Sequence, residues 1–140
     1  MASPKPVYHE HRLVAHFRSA VDMTNNQYSY VQMFASNTVS TLTSTANTTG
    51  TYIIGIQENL PNSGTDQDIR VCMHGITLAK AGEAIAAGSY LTYQTNSTYV
   101  FAATGTVGTG TRNIIGRAME TASAANVIFR MFVNDLGIIK

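Results

Sequence analysis

The chain has no tryptophan, one cysteine and three prolines in 140 residues. The lone Cys72 excludes an intrachain disulfide framework and a cysteine-built zinc cage. Charge is scarce too: Asp, Glu, Lys and Arg make up 12% of the chain, against the usual ~25%, and the formal net charge is +1. Without clustered Lys and Arg there is no electrostatic footprint for duplex DNA or RNA. No apolar run approaches the ~18 residues that would suggest a membrane-spanning helix. The opening MASPKPVYHEHR lacks the apolar segment of a secretory signal. Nucleic acid and membrane are therefore not expected partners.

What is present is a hydrophobic fraction of 44% and, in place of charge, abundant Thr, Ser and Asn. A chain of this length can bury roughly 68–70% of its unfolded surface, enough for one domain with a core of its own. A weakly charged surface is poorly protected against self-association. It suits a protein that is covered by neighbours.

Residues 1–18 read as an extended N-terminal arm, and 19–140 as a single β domain. The arm holds two of the three prolines (Pro4 and Pro6) and three of the four histidines (His9, His11 and His16). The prolines favour extended backbone, and a weak alternation from Val7 to Phe17 would let part of the arm add as a strand. Beyond Ser19, Thr, Tyr, Val, Ile and Phe dominate. Strands are expected at Tyr28–Ala35, Val39–Thr43, Tyr52–Glu58, Asp68–His74, Tyr90–Gln94, Tyr99–Ala102, Asn113–Glu120 and Val127–Val133. Turn chemistry separates them at Asn47–Gly50, Pro61–Gly64, Asn96-Ser97 and Gly105–Gly110. Ala79–Ala87 is alanine-rich, but Gly82 and Gly88 limit it to one or two helical turns or a loop. The pattern is that of a barrel or sandwich.

The two halves resemble each other. Ile53-Ile54-Gly55 followed by Glu58 and Ile69-Arg70-Val71-Cys72-Met73 stands against Ile114-Ile115-Gly116 followed by Glu120 and Ile128-Phe129-Arg130-Met131-Phe132. Gly55 and Gly116 are 61 positions apart, and Tyr28-Ser29-Tyr30-Val31 matches Tyr90-Leu91-Thr92-Tyr93 at about the same offset. Either the halves are four-strand pseudo-repeats that together close one barrel-like core, or the match is coincidence among β-rich segments. A glycine within a strand marks a bulge, a bend or a close approach, so Gly55 and Gly116 are read as matched structural bends.

Candidate chemistry is thin. His9-x-His11 with His16 could place imidazoles on one strand face for a metal, but no carboxylate ligand is placed beside them and ordinary contacts are favoured. Cys72 and His74, two apart, could form a nucleophilic pair. Cys72 fits better as part of an apolar strand face. Asp66-x-Asp68 lacks the downstream Glu of a calcium loop, and Gly105–Gly110 lacks the Lys-Ser/Thr of a phosphate loop. Seven tyrosines could form a binding row, or each could pack its ring at the rim of the core. No catalytic residue, metal or cofactor is expected, and the chain does not read as an enzyme.

The run Gly75-Ile76-Thr77-Leu78-Ala79-Lys80-Ala81-Gly82-Glu83-Ala84-Ile85-Ala86-Ala87-Gly88-Ser89-Tyr90-Leu91, then Ile114-Ile115-Gly116-Arg117-Ala118-Met119-Glu120 and the apolar Val127–Val133, resembles the capsid decoration (cement, head-stabilisation) proteins of tailed bacteriophages. The resemblance covers roughly residues 50 to 134. It implies an all-β, compact β-tulip or barrel-like fold. It implies a homotrimer on the outer surface of the virion, where it binds the major capsid protein lattice and stabilises the head against internal DNA pressure. It carries over no catalytic residue. An extended arm could add a strand to a neighbour's open sheet edge, so Pro4, Pro6, Val7, Tyr8, His9, His11 and Arg12 are the candidate capsid or inter-subunit contacts. The alternatives are a β-sandwich module binding carbohydrate or a host surface through exposed tyrosines, and another phage structural role in tail or neck.

Overall fold

The structure, a computed structural model, describes residues 12–41, 53–94, 97–103 and 112–139. They form nine strands: β1 (Leu13–Ser19), β2 (Tyr30–Ala35), β3 (Thr38–Thr41), β4 (Ile53–Gln57), β5 (Asp68–Lys80), β6 (Tyr90–Thr92), β7 (Phe101–Ala102), β8 (Arg112–Ala118) and β9 (Ile128–Ile139). The fold is all-β, and no helix occurs among the described residues. The strand order is β1-β3-β2-β4-β5-β9-β8-β6-β7, and an additional β1–β5 pairing closes the first five strands into a barrel.

Hydrogen bonding repeats from half to half. In the first, β3-β2-β4-β5 pair in that order; in the second, β7-β6-β8-β9 do. Val31 faces Thr41 and Gly55, and 60 or 61 positions later Leu91 faces Ala102 and Gly116. Ile56 pairs with Cys72 as Arg117 pairs with Phe132. The connections repeat as well. Tyr28 N–H donates to Gln57 O at 2.7 Å and Gly88 N–H to Ala118 O at 2.8 Å, while Asp66 N–H donates to Ser19 O and Asn126 N–H to Ala81 O, both at 2.8 Å. Left-handed backbone recurs at the same places, Tyr28 (φ 63) with Gly88 (φ 85) and Asp66 (φ 56) with Asn126 (φ 68). Chance similarity between β-rich segments does not reproduce turn dihedrals and register together.

The way the halves close differs from the expectation of one shared core. Each half closes on itself. The parallel pairing of Ser19 with Val39 shuts the first barrel. The parallel bridge of Ala81 with Val100 is its counterpart in the second half. The cores match position by position. Phe17, Met23, Val31, Val39, Ile54, Ile69, Val71 and Met73 fill the first. Ala79, Ile85, Leu91, Val100, Ile115, Phe129, Met131 and Val133 belong to the second. Phe17 lies opposite Ile69 where Ala79 lies opposite Phe129, so bulk lost on one strand is regained on its neighbour. The outer wall of the first barrel (Tyr30, Ile53, Ile56 and Cys72) packs into the same cluster as the second core. Between the halves Tyr30 Oη donates to Thr92 O at 2.9 Å.

β5 serves both halves and accounts for the other differences. A strand ending at His74 was expected, but it runs on to Lys80, its first part pairing with β1 and β4 and its last part, Gly75–Lys80, with β9. The passage is at Gly75, with φ of 110. That dihedral favours glycine, and a Cβ there would also press on Arg12 Cγ at 3.0 Å. Because β5 takes Ala79 and Lys80, and Ala81 and Ile85 make bridges, Ala79–Ala87 has no helical turn. Extended pairing outweighs the weak helix preference of a few alanines.

The arm boundary at residue 18 is corrected as well. Leu13–Ser19 is an integral barrel strand, antiparallel to β5 with Ala15 opposite Val71 and Phe17 opposite Ile69. The alternation that ends at Phe17 is the burial pattern of that strand, with Phe17 packed on the first core. The expected turns at Asn47–Gly50 and Gly105–Gly110, and Asn96, lie outside the described residues.

Candidate functional site: an arginine-lined cleft

Of the candidate contacts, Pro4, Pro6, Val7, Tyr8, His9 and His11 lie outside the described residues; Arg12 is described. Its guanidinium Nη2 forms an ion pair with Glu58 Oε1. Glu58 follows β4, and its side chain is only 8% exposed. The same Oε1 accepts from Thr77 Oγ1 at 2.9 Å, while Oε2 lies 3.2 Å from Arg70 Nε. Arg70 is on β5 before the Gly75 passage and Thr77 is beyond it, so the site is built at the junction of the two halves. A cleft of about 290 Å³ opens there, lined by Arg12, Tyr28, Glu58, Arg70, Ile76, Thr77, Leu78 and Arg130.

Strand alternation explains who faces the cleft. Arg70 and Leu78 are exposed positions between buried neighbours on β5, and Arg130 is the exposed residue between Phe129 and Met131 on β9. Leu78 pairs directly with Arg130. Glu120 Oε1 accepts from the backbone N–H of Arg130 at 2.8 Å, leaving the guanidinium outside that bond. Among the described residues Arg130 has no ion pair, so the cleft holds three guanidiniums against one lining carboxylate.

The opposite sign gathers elsewhere. Asp66 and Asp68 lie at the start of β5 beside Arg18 and His16: His16 Nδ1 is 2.9 Å from Asp68 Oδ2, and Arg18 Nε is 3.7 Å from Asp66 Oδ1. Asp22 accepts from the backbone and hydroxyl of Thr24, which holds its carboxyl below the ordinary value. His16, the described member of the histidine set, thus faces a carboxylate on the barrel wall. No group of three or more metal-ligating side chains occurs among the described residues.

The Cys72–His74 pair does not assemble. The β1–β5 register shifts between Leu13 and Val14, so Met73 is skipped and simple alternation fails there. Cys72 is buried in the core, whereas His74 is exposed and packs edge-on to Phe132, ring centroids 5.2 Å apart. The described tyrosines stand in different settings. Tyr30 is buried, and burial pushes its hydroxyl well above the ordinary value of 10.0. Tyr90 lies under Arg117 (4.6 Å) and Tyr99 under Lys80 (5.1 Å), both cation–π contacts. Gly55 and Gly116 sit where a neighbouring carbonyl comes closest. A Cβ would be 2.0 Å from Cys72 O at the first and 2.2 Å from Phe132 O at the second.

A scan against protein-family models and a search of curated proteins return no match. Among solved structures, the chain is similar to the head fiber gp8.5 N base of bacteriophage phi29. The identity is 12% and the TM-score 0.48, over 92% of this chain and 98% of that one.

Glu58, Thr77 and the pair Arg70 and Arg130 were not singled out by sequence reasoning. A signal was there: both arginines are the outward charges of the matched segments Ile69-Arg70-Val71 and Phe129-Arg130-Met131. A charge that recurs at the same place in both repeats, in a chain this poor in charge, marks a face.

Proposed function

We propose that the chain is a structural protein of a tailed-bacteriophage virion that decorates the outer surface of the head. It binds the major capsid protein lattice as a homotrimer and stabilises the shell against internal DNA pressure, with no enzymatic activity. The observation that carries this is the resemblance over roughly residues 50 to 134, whose quoted motifs have coherent structural roles. Gly75 carries the strand from one half to the next, and Ala79 and Ala81 are core positions. Gly88 makes the left-handed turn before β6, and Ile114–Ala118 lie in β8, followed by Glu120, which binds the backbone of β9. The fully buried core of both halves supports a rigid scaffold role. Repetition over many lattice sites would turn modest contacts into a stable shell.

The test is re-addition of the purified protein to shells that lack it. Saturable binding at a fixed ratio to the major capsid protein, with a raised temperature of DNA release, is expected. Absence of binding to intact shells would refute the proposal. Sedimentation analysis of the purified protein tests the trimer, and a monomer at micromolar concentration that stays monomeric on the shell would remove that part.

A further inference from the structure

The geometry points to the Arg70–Arg130 cleft as a docking site for a carboxylate-bearing segment of a protein partner, an acidic side chain flanked by an apolar one. This deepens the proposed function, because the partner would be the capsid surface, but the chemistry rests on the cleft alone. Glu58, nearly buried, fixes Arg12 through Oε1 and faces Arg70 Nε through Oε2. A guanidinium has five N–H donors in a planar fork. Arg70 is held by its ion pair with Glu58, with Nε 3.2 Å from Oε2, while its half-exposed side chain lines the cleft. Arg130, on β9, lines the same cleft and has no ion pair among the described residues. Two guanidinium forks flanking one small cleft match bidentate recognition of a carboxylate. Ile76 and half-exposed Leu78 supply an apolar wall.

Cleft size and charge choose between anions. About 290 Å³ takes one or two side chains rather than a polymer groove. A nucleic-acid backbone needs a track of many cations, and this chain's net charge is +1. The Glu58 carboxylate in the cleft wall also opposes a doubly charged phosphate more than a single carboxylate.

The experiment is an amide-resolved NMR titration of the full chain with the capped peptide Gly-Asp-Leu-Glu-Gly. Its Asn/Gln analogue and inorganic phosphate are run in parallel. Saturable shifts centred on Arg70, Thr77, Leu78 and Arg130 are expected, with Kd on the order of 1 mM, lost in high salt. Arg130→Gln, Arg130→Glu and Arg70→Gln should each weaken binding at least tenfold while thermal unfolding stays cooperative. Equal binding of the neutral analogue, tighter binding of phosphate, no saturable shift, or unchanged affinity in Arg130→Glu would each overturn the inference. Shell re-addition separates the two levels. Wild type and Arg130→Glu occupying shells equally would defeat the cleft and leave decoration standing. Failure of wild type to occupy shells would defeat decoration, and the peptide titration would still decide the cleft.

Discussion

Gly116→Ala probes a close approach of backbone that recurs in both halves. The added Cβ would lie 2.2 Å from the carbonyl oxygen of Phe132, 3.2 Å from its carbonyl carbon and 2.7 Å from Met131 Cε. The methionine methyl can swing away, but the carbonyl belongs to the β8–β9 ladder, in which Arg117 pairs with Phe132. Relief therefore requires the two strands to part locally. Overpacking of this kind costs about 2–3 kcal/mol, which for a domain of this size lowers Tm by roughly 6–12 °C. Gly55→Ala meets the Cys72 carbonyl at 2.0 Å in the other half, and its loss should agree to within about 1 kcal/mol. Gly64→Ala is the control: nothing lies within 4 Å of the added Cβ, so only its φ of 103 opposes the change. Thermal unfolding of the three variants by circular dichroism makes the comparison. A shift below about 2 °C for Gly116→Ala, or a larger loss at Gly64 than at Gly116, would refute the close-approach argument.

Removing residues 1–11 should leave cooperative unfolding intact, whereas removing 1–18 takes away β1, opens the barrel along β3 and β5 and should abolish the cooperative transition. Gln57 is fully buried, donates to Met23 O (3.1 Å) and Asn59 O (2.9 Å) and accepts from Asn26 (3.2 Å), so Gln57→Leu should cost about 2–4 kcal/mol in a denaturant titration. Tyr30→Phe removes one buried hydrogen bond and should cost about 1–2 kcal/mol by the same method. Because burial raises the Tyr30 hydroxyl above its unfolded value of 10.0, its contribution is fully present below about pH 10 and is lost as pH rises further. Ultraviolet titration should find one tyrosine silent until the protein unfolds, and early ionisation of every tyrosine would contradict its burial.

Much of the architecture was legible because the strands alternate and the halves repeat. Ile53-Ile54-Gly55 and Ile114-Ile115-Gly116 announced equivalent strands, and the expected segments from Tyr28 to Val133 match β2–β4, the first part of β5, β6–β8 and the first part of β9 to within a few residues. What stayed hidden depends on partners distant in sequence. Leu13–Ser19 is a strand because β5 and β3 flank it, and proline and histidine upstream gave no hint of that pairing. The continuation of β5 past Gly75 needs β9 beside it, 48 to 58 positions on, from the pairing of Lys80 with Ile128 to that of Gly75 with Val133. The cleft was illegible for the same reason: Glu58, Arg70 and Arg130 come from three strand ends or faces that only closure of both halves brings together. Alternation told which residues point outward but not which outward faces meet.

The central claim, decoration of a phage head, is tested most directly by a density map of the intact particle at a resolution that traces the chain. Copies of the two-barrel chain on the outer surface of the head, grouped in threes and touching the major capsid protein, are the predicted result. The chain found only in tail or neck, or no density for it on the shell, would contradict the account.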